Sequence, residues 1–576
     1  MDLPWRRVIG LVLGAVLVAV GIALLLRPFA SVNWLLILLV LGLFGVAVAE
    51  AIAAFLRRDG TPRWLRMTIA GVAFVLGLLI AVLPGMTVHL LVVLAGLLPI
   101  AAGIRDLLLA VAKESGGERV VRVLFGLAGL VVGVTILAWP DVTVWVLGVL
   151  FGVWLAALGV RLAVTPLVER SEERSARPAR RRHLVLRGLL AGLAVVAAVA
   201  VAAVGVRLSA TPQPDDFYSA PGEVPSEPGV LLRAEPFTRS VPDGAHAWRI
   251  LYTTRGLGET PAIASGLVVV PDAPGPHPVI GWTHGTTGVA TGCAPSLLPE
   301  PFVSGAMPDL HEALGNGWAV VATDYIGLGT PTTHEYVVGE PAGHAELDAL
   351  RAARSLDGAD LASETVIWGH SQGGHAALWT AGLAADYAPE LDLKGVVAMA
   401  PAANLPALLS SFADQSLSLL FGAFVLTGYD AAYPDVRVED YAKPSGRLPL
   451  EAVASRCLTD PGTIVSVLQA GLSGGPIWSR DPSTGALGQR AAENVPTLPI
   501  HEPLLIAQGL ADPLIVPAAQ QDYVTSRCEA GQALEYRTYP GLDHMGVVSE
   551  GSPLLGELLE WTRARFAGEP AGDDCE

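Results

Sequence analysis

Residues 365–374 read Thr-Val-Ile-Trp-Gly-His-Ser-Gln-Gly-Gly. An apolar, strand-like run enters a Gly-x-Ser-x-Gly turn, and the Ala-rich stretch 373–386 beyond it reads as a helix. A serine on such a strand-to-helix turn is lifted above the end of a sheet as an exposed nucleophile, and flanking glycines let strand and helix approach. Ser371 is the candidate nucleophile. The amide of Gln372, at the helix start, can donate to a developing oxyanion.

The flanking sequence has the same grain. Strand candidates lie at 248–254, 265–271, 278–284, 318–325, 395–401, 503–509 and 534–540, with helices at 344–356, 517–527 and 553–566. Alternation of this kind predicts an α/β domain whose mainly parallel sheet is covered on both faces. A serine hydroxyl needs a base at neutral pH, and after such a turn the partners follow in the order acid, then histidine. Asp512 follows the strand at 503–509 and His544 follows the strand at 534–540, both in loops at carboxyl ends. The expected roles are attack by Ser371, proton transfer through His544, and orientation of the imidazole by Asp512. Rival acids are Asp522, inside a predicted helix, and Asp543, adjacent to His544; the rival base His501 precedes its strand. Taken singly, Asp512 also reads as a turn or cap residue and His544 as a solvated loop histidine. The second oxyanion donor is expected from the loop His284-Gly-Thr-Thr-Gly288, at the amide of Gly285 or Thr286, with His284 a structural residue. Residues 402–500 are too long for a connection and read as a helical lid, apolar over 405–429.

Outward from this domain the composition changes. The chain of 576 residues is 52% hydrophobic and 16% charged, far below the roughly 25% charged of soluble domains. Residues 1–207 hold 20 basic and 10 acidic residues, a net charge of +10, whereas the remainder carries −27. The acidic part excludes a nucleic-acid binder. Apolar stretches at 8–26, 33–55, 67–83, 88–104, 123–139, 143–160 and 188–206 predict seven membrane spans. Pro28, Pro84 and Pro140 recur every 56 residues, as do Gly21, Gly77 and Gly133. Three helical hairpins, each turned at its Pro, therefore make six spans, and the seventh stands alone. Gly10/Gly14, Gly148/Gly152 and Gly188/Gly192 have GxxxG spacing, which serves close helix packing or is simply small-residue usage. Glu50 falls near a span end, within reach of headgroups.

Arg6 and Arg7, Arg57 to Arg66, Arg105 to Arg122 and the run Arg180-Arg181-Arg182 occupy alternate loops, which puts the N-terminus in the cytoplasm and everything after Arg207 outside. The divisions expected are a membrane domain at 1–166, a basic cytoplasmic loop at 167–187, a seventh helix at 188–207, an extended Pro- and acid-rich linker at 208–228, the α/β domain at 229–567 and a tail at 568–576. The four cysteines, Cys293, Cys457, Cys528 and Cys575, all lie outside on this reading, an even number suited to two disulfides in an oxidising compartment.

Two resemblances follow from the quoted motifs. The paired spans with Pro turns, over 8–164, resemble the HdeD-like family of short-repeat bacterial membrane proteins. Trp282–Gly288, Cys293-Ala-Pro-Ser296, Asp324-Tyr-Ile-Gly-Leu-Gly329, Gly369–Gly374, Gly509–Asp512 and Asp543-His544, in that order, resemble the secretory lipase family of α/β-hydrolases. The second resemblance implies the triad Ser371, Asp512 and His544, the disulfides Cys293–Cys457 and Cys528–Cys575, and a lid after the sixth predicted strand. The expectation is a membrane-tethered extracytoplasmic serine lipase or esterase acting on acyl esters at the bilayer, with no cofactor, no metal and no nucleic-acid partner. The oligomeric state stays open. An envelope acyltransferase or a peptidase of the same fold is the rival within enzymes; a non-catalytic membrane sensor or scaffold is the rival outside them.

Overall fold

The computed structural model describes residues 63–82, 84–112, 116–139, 211–412, 418–463 and 478–575, with scattered positions between 15 and 54, 153 and 160, and 189 and 207, and Ser466. Two compact units emerge, one mainly from residues 1–210 and one from 211–441, 453–463 and 478–576.

The first unit is helical. Helix α1 spans Arg63–Val82, α2 Pro84–Ala112 and α3 Gly116–Ala138. Pro84 opens α2, where its missing N–H leaves nothing unsatisfied. Within the described residues, Val92–Val111 and Arg119–Ala138 are long and apolar enough to cross a bilayer core. Helices α2 and α3 touch backbone to backbone: a Cβ on Gly103 would lie 2.6 Å from the Gly126 carbonyl oxygen, and one on Gly133 2.5 Å from that of Gly96. Small residues at such a seam permit dispersion contacts that lipid cannot supply better. This seam joins the second helix of one expected hairpin to the first of the next. Gly10, Gly14, Gly148, Gly152 and Gly188 lie outside the described residues, as do Pro28, Pro140, the basic loop at 167–187, most of the first, sixth and seventh expected spans and part of the second. Glu50 does not stand alone at its span end; Arg66 donates to it at 3.1 Å.

The second unit is a nine-stranded sheet in the order β1-β2-β3-β5-β4-β6-β7-β8-β9. The strands are β1 Leu231–Phe237, β2 Ala245–Arg255, β3 Pro261–Pro271, β4 His277–Thr283, β5 Ala319–Ile326, β6 Leu361–His370, β7 Asp392–Met399, β8 Leu504–Gly509 and β9 Glu535–Tyr539. The first three pairings are antiparallel; from β5 onward every pairing is parallel. Helices α4 (Gly339–Arg354) and α5 (Gln372–Tyr387) cover one face, and α10 (Pro553–Phe566) the other. Fully buried Trp282 and Trp368 lie at the centre, the latter donating to Thr562 Oγ1 at 3.0 Å. Between β7 and β8 lie α6 (Leu405–Phe412), α7 (Ser418–Ala432) and α8 (Gly485–Glu493), with α9 (Pro517–Glu529) after β8.

Two features differ from expectation. Strand β1 was not expected: it is a half-buried edge strand containing Pro236, so its apolar alternation is weak. The stretch at 208–228 is not wholly an extended linker. Phe217 and Tyr218 are buried in a short helical turn; Tyr218 Oη pairs with Ser296 Oγ at 2.8 Å, and Arg249 lies over the Phe217 ring at 4.2 Å. The structure joins Cys293 to Cys457 and Cys528 to Cys575, each pair with Cα atoms 5.1 Å apart. The first bond ties the loop after β4 to the segment beyond α7. The second ties the tail to α9.

Glu346 of α4 is fully buried against Gly281 of β4, and neither carboxyl oxygen has a hydrogen-bond partner. Burial pushes its pKa up to about 8. The folded protein binds this proton more tightly than the unfolded chain, so its contribution is fully favourable at low pH. It is lost as pH rises from the ordinary carboxyl range, about 4.3, towards 8. Glu346→Gln should therefore leave stability nearly unchanged at pH 5 and raise it at pH 8. Chemical denaturation at both pH values checks this; an equal effect at the two would contradict the buried neutral acid.

Candidate active site

Ser371 sits between β6 and α5 at φ 59° and ψ −118°, a conformation that costs a residue with a side chain about 1–3 kcal/mol. Its neighbours over-determine it. The Ser371 amide donates to the Met399 carbonyl at 2.9 Å, and the Ala402 amide donates to the Ser371 carbonyl at 3.1 Å. Thr283 of β4 donates its hydroxyl to the Gly373 carbonyl at 2.8 Å. A Cβ on Gly369 or Gly373 would collide with Gly373 or Thr283 backbone. The turn thus exists only because α5 presses onto the ends of β4 and β6.

His544 Nε2 lies 2.9 Å from Ser371 Oγ, and His544 Nδ1 lies 2.8 Å from Asp512 Oδ2. Asp512 is buried after β8. Its Oδ1 accepts from the amides of Leu514 (2.8 Å) and Ile515 (2.9 Å), and its Oδ2 also accepts from Gln508 Nε2 at 3.2 Å. Every one of these neighbours donates, and both carboxylate oxygens accept. The carboxylate in turn favours the tautomer with hydrogen on Nδ1, leaving the Nε2 lone pair for the serine hydroxyl.

The rivals lie elsewhere. Asp522 is exposed on α9, His501 is exposed before β8, and Asp543 turns away to accept from the Gly546 amide at 2.7 Å. His284 is buried, with ring nitrogens 2.6 and 3.3 Å from the carbonyl oxygens of Gly285 and Asp324. Burial pushes its pKa down to about 4, so it is a neutral prop for this loop.

One expected donor is corrected. The Gly285 amide is spent on the Gly305 carbonyl at 2.9 Å, so it cannot face an oxyanion. Thr286 remains, with Gln372 at the first position of α5, where helix geometry supplies no carbonyl to its amide. Thr286 Oγ1 lies 2.7 Å from Tyr336 Oη. Tyr336 packs edge-on against Phe424 of α7, with ring centroids 5.8 Å apart.

Sequence reasoning missed three residues here. His370 is buried beside the nucleophile; its Nε2 lies 3.0 Å from the His544 carbonyl oxygen, and burial holds its pKa down at about 3. It donates to the backbone of the loop that carries His544. His334 lies 2.9 Å through Nδ1 from the Ile326 carbonyl oxygen, and its Nε2 accepts from Gln372 Nε2 at 2.8 Å. Burial lowers its pKa to about 4, consistent with that neutral tautomer. Tyr336 is the third. His370 was visible inside the Gly-x-Ser-x-Gly motif. His334 and Tyr336 lie in an aperiodic loop, with no local signal.

Comparisons with known proteins agree with this architecture. The profile of the family described as secretory lipase matches residues 306–574. The profile of a short repeat of unknown function, DUF308, matches three times, at 12–80, 68–138 and 124–203. A probable inactive lipase of Mycobacterium tuberculosis is 28% identical over 393 residues, covering 63% of this chain and 84% of that protein. A secreted triacylglycerol lipase of Malassezia globosa is 27% identical over 391 residues, covering 63% and 81%. Among solved structures, Candida antarctica lipase A superposes with a TM-score of 0.54 at 19% identity, over 63% of this chain and 87% of that one. That last likeness establishes the α/β-hydrolase fold.

Removing the Tyr336 hydroxyl frees Thr286 without opening the core. Tyr336→Phe is expected to lower kcat for a short-chain ester about five- to tenfold, the worth of one hydrogen bond, and to leave KM nearly unchanged. Steady-state kinetics check it; a change in KM alone would place Tyr336 in substrate binding instead.

Proposed function

We propose that this chain, which joins a secretory lipase domain to three DUF308 repeats, is a membrane-anchored, extracytoplasmic serine hydrolase of carboxylic esters, with lipid-like acyl esters as its substrates. The observation that carries the reading is the continuous relay Ser371 Oγ–His544–Asp512, at 2.9 and 2.8 Å, on a strained turn at the carboxyl end of a parallel sheet. A scaffold protein has no need to hold that strain.

The reaction follows from the relay. Ser371 Oγ bonds to the ester carbonyl carbon while its proton moves to His544 Nε2. The carbonyl electron pair goes to oxygen, where the Gln372 amide and Thr286 stabilise it; one such donor is worth roughly 2.7–4 kcal/mol. Collapse breaks the bond to the alcohol oxygen, which leaves with the proton from His544. Water then attacks the acyl-serine, His544 takes its proton and returns it to Ser371, and the acid departs. Asp512 stays ionised and balances the imidazolium. Thr286 Oγ1 and Tyr336 Oη lie 2.7 Å apart, and when Tyr336 is the donor the threonine hydroxyl proton is free to point at the oxyanion.

Three features support substrate and location. Secreted lipases are among the relatives. Helix α7 is an apolar cover whose Phe424 meets Tyr336. All four cysteines are paired, which fits an oxidising compartment. The apolar helices and the basic loops on one side of the repeats support anchoring, with the N-terminus cytoplasmic.

Ser371→Ala is expected to abolish hydrolysis of nitrophenyl esters by the full chain, a fall of about 10⁴-fold or more; activity that survives would rule out the acyl-serine route. On intact cells a membrane-impermeant thiol reagent should label Ser219→Cys and spare Ser175→Cys. The opposite pattern would put the hydrolase unit inside.

A further inference from the structure

The turn between β2 and β3 and the first turn of α4 bring together three groups the reaction does not use. Glu259 ends the β2–β3 turn, and Glu340 and His344 lie one helical turn apart on α4. One ligating atom from each falls within 4.8 Å of the others. His344 is only 1% exposed. Its Nδ1 has no hydrogen-bond partner, and its Nε2 faces Glu259 Oε1 at 3.7 Å, too far for a hydrogen bond. A buried imidazole that meets two carboxylates without a hydrogen bond to either is a donor set open to a cation.

The charges around the cluster sharpen the point. Burial lowers the His344 pKa, only partly offset by Glu259 and the Arg255 carbonyl. Burial and the nearby Glu259 carboxylate raise the Glu340 pKa. Arg255 Nε lies 3.9 Å from Glu259 Oε2 on the side away from the histidine contact at Oε1, and its guanidinium is engaged by the carbonyls of Ser226 and Glu259. Arg351 is committed to Asp348, Glu390 and the Tyr387 carbonyl. Tyr387 stacks on the His344 ring at 4.0 Å and fixes its plane.

We propose that Glu259, Glu340 and His344 bind one divalent transition-metal ion of the zinc class. Imidazole nitrogen and carboxylate oxygen are both zinc donors, and three protein ligands leave a fourth place for water. Bonds of about 2.0–2.1 Å to a tetrahedral ion set ligand atoms roughly 3.3 Å apart. The 3.7 Å between Nε2 and Oε1 is already near that, and Glu259 is exposed enough to move the remainder. Calcium, which wants six to eight oxygens, fits the set poorly. The ion would staple the β2–β3 turn to the start of α4, directly after the loop that carries His334 and Tyr336. The sequence reading expected no metal because it sought Cys/His spacing; Glu340 and His344 are in register, but their partner comes from a turn eighty residues earlier.

The test uses the full chain in detergent, stripped with a chelator and titrated with zinc by calorimetry, with thermal unfolding alongside. The expected result is one zinc per chain and a higher Tm, both lost in Glu259→Gln and in Glu340→Gln. Glu259→Gln alters an exposed side chain, so its folding is not in question, and circular dichroism verifies it. No zinc uptake by the wild type, or equal uptake by Glu259→Gln, overturns the site; uptake of calcium in preference to zinc overturns the ion class. None of these readouts depends on ester hydrolysis.

Discussion

The active site depends on one steric constraint, the close approach of α5 to β4 and β6 at Gly369 and Gly373. Because nothing larger than hydrogen fits there, the helix begins directly under the strand ends, and the residue between must take a positive φ. That residue is Ser371. The same approach sets the Gln372 amide at the head of α5, beside the hydroxyl it serves. Strain at the serine is held by hydrogen bonds from β7 and from Ala402, so the turn cannot relax without breaking the sheet end. The relay to His544 and Asp512 then needs only loops of the right length after β8 and β9.

Local, covalently adjacent constraints were the part legible in sequence. The Gly-x-Ser-x-Gly turn, the order of acid and histidine, and the parallel strands are written in contiguous residues with a short period. What was not legible comes from long-range contacts. Gly285 and Thr286 are neighbours with equal claims in sequence; only Gly305, twenty residues on, separates them by taking one amide. Tyr336 gains its place through Thr286 and Phe424, both far away along the chain. Strand β1 and the turn at 216–218 are polar or half-buried pieces at the sheet edge, where burial alternation fades and composition imitates a linker. In the helical unit the 56-residue repeat was visible, whereas the seam between α2 and α3, at Gly96, Gly103, Gly126, Gly129 and Gly133, comes from a pairing of helices that the repeat alone does not specify.

Glycine does the same physical work in both units, for different solvents. Between α2 and α3 it lets apolar helices meet closely where water exclusion offers no drive. Under Ser371 it lets a helix meet a sheet inside a core already dry. The charge asymmetry divides along the same line: basic residues flank the apolar helices and acidic ones cover the hydrolase unit. The overall net charge of −17 averages two unlike surfaces.

The histidines of the hydrolase unit fall into two kinds. His284, His334, His370 and His375 are all buried, and burial holds each at a pKa of about 3 to 4. Each has a ring nitrogen within hydrogen-bond distance of a backbone carbonyl oxygen, so they act as neutral struts that hold loops. His544 is built differently. Its Nδ1 meets a carboxylate, its Nε2 meets the serine, and its ring is partly open. Motif density alone cannot separate a strut from a base, since His284, His370 and His544 all lie at strand ends or in the turns after strands, beside glycines. The partner separates them: each strut meets a backbone carbonyl oxygen, whereas His544 Nδ1 meets the Asp512 carboxylate, which in the proposed reaction balances an imidazolium.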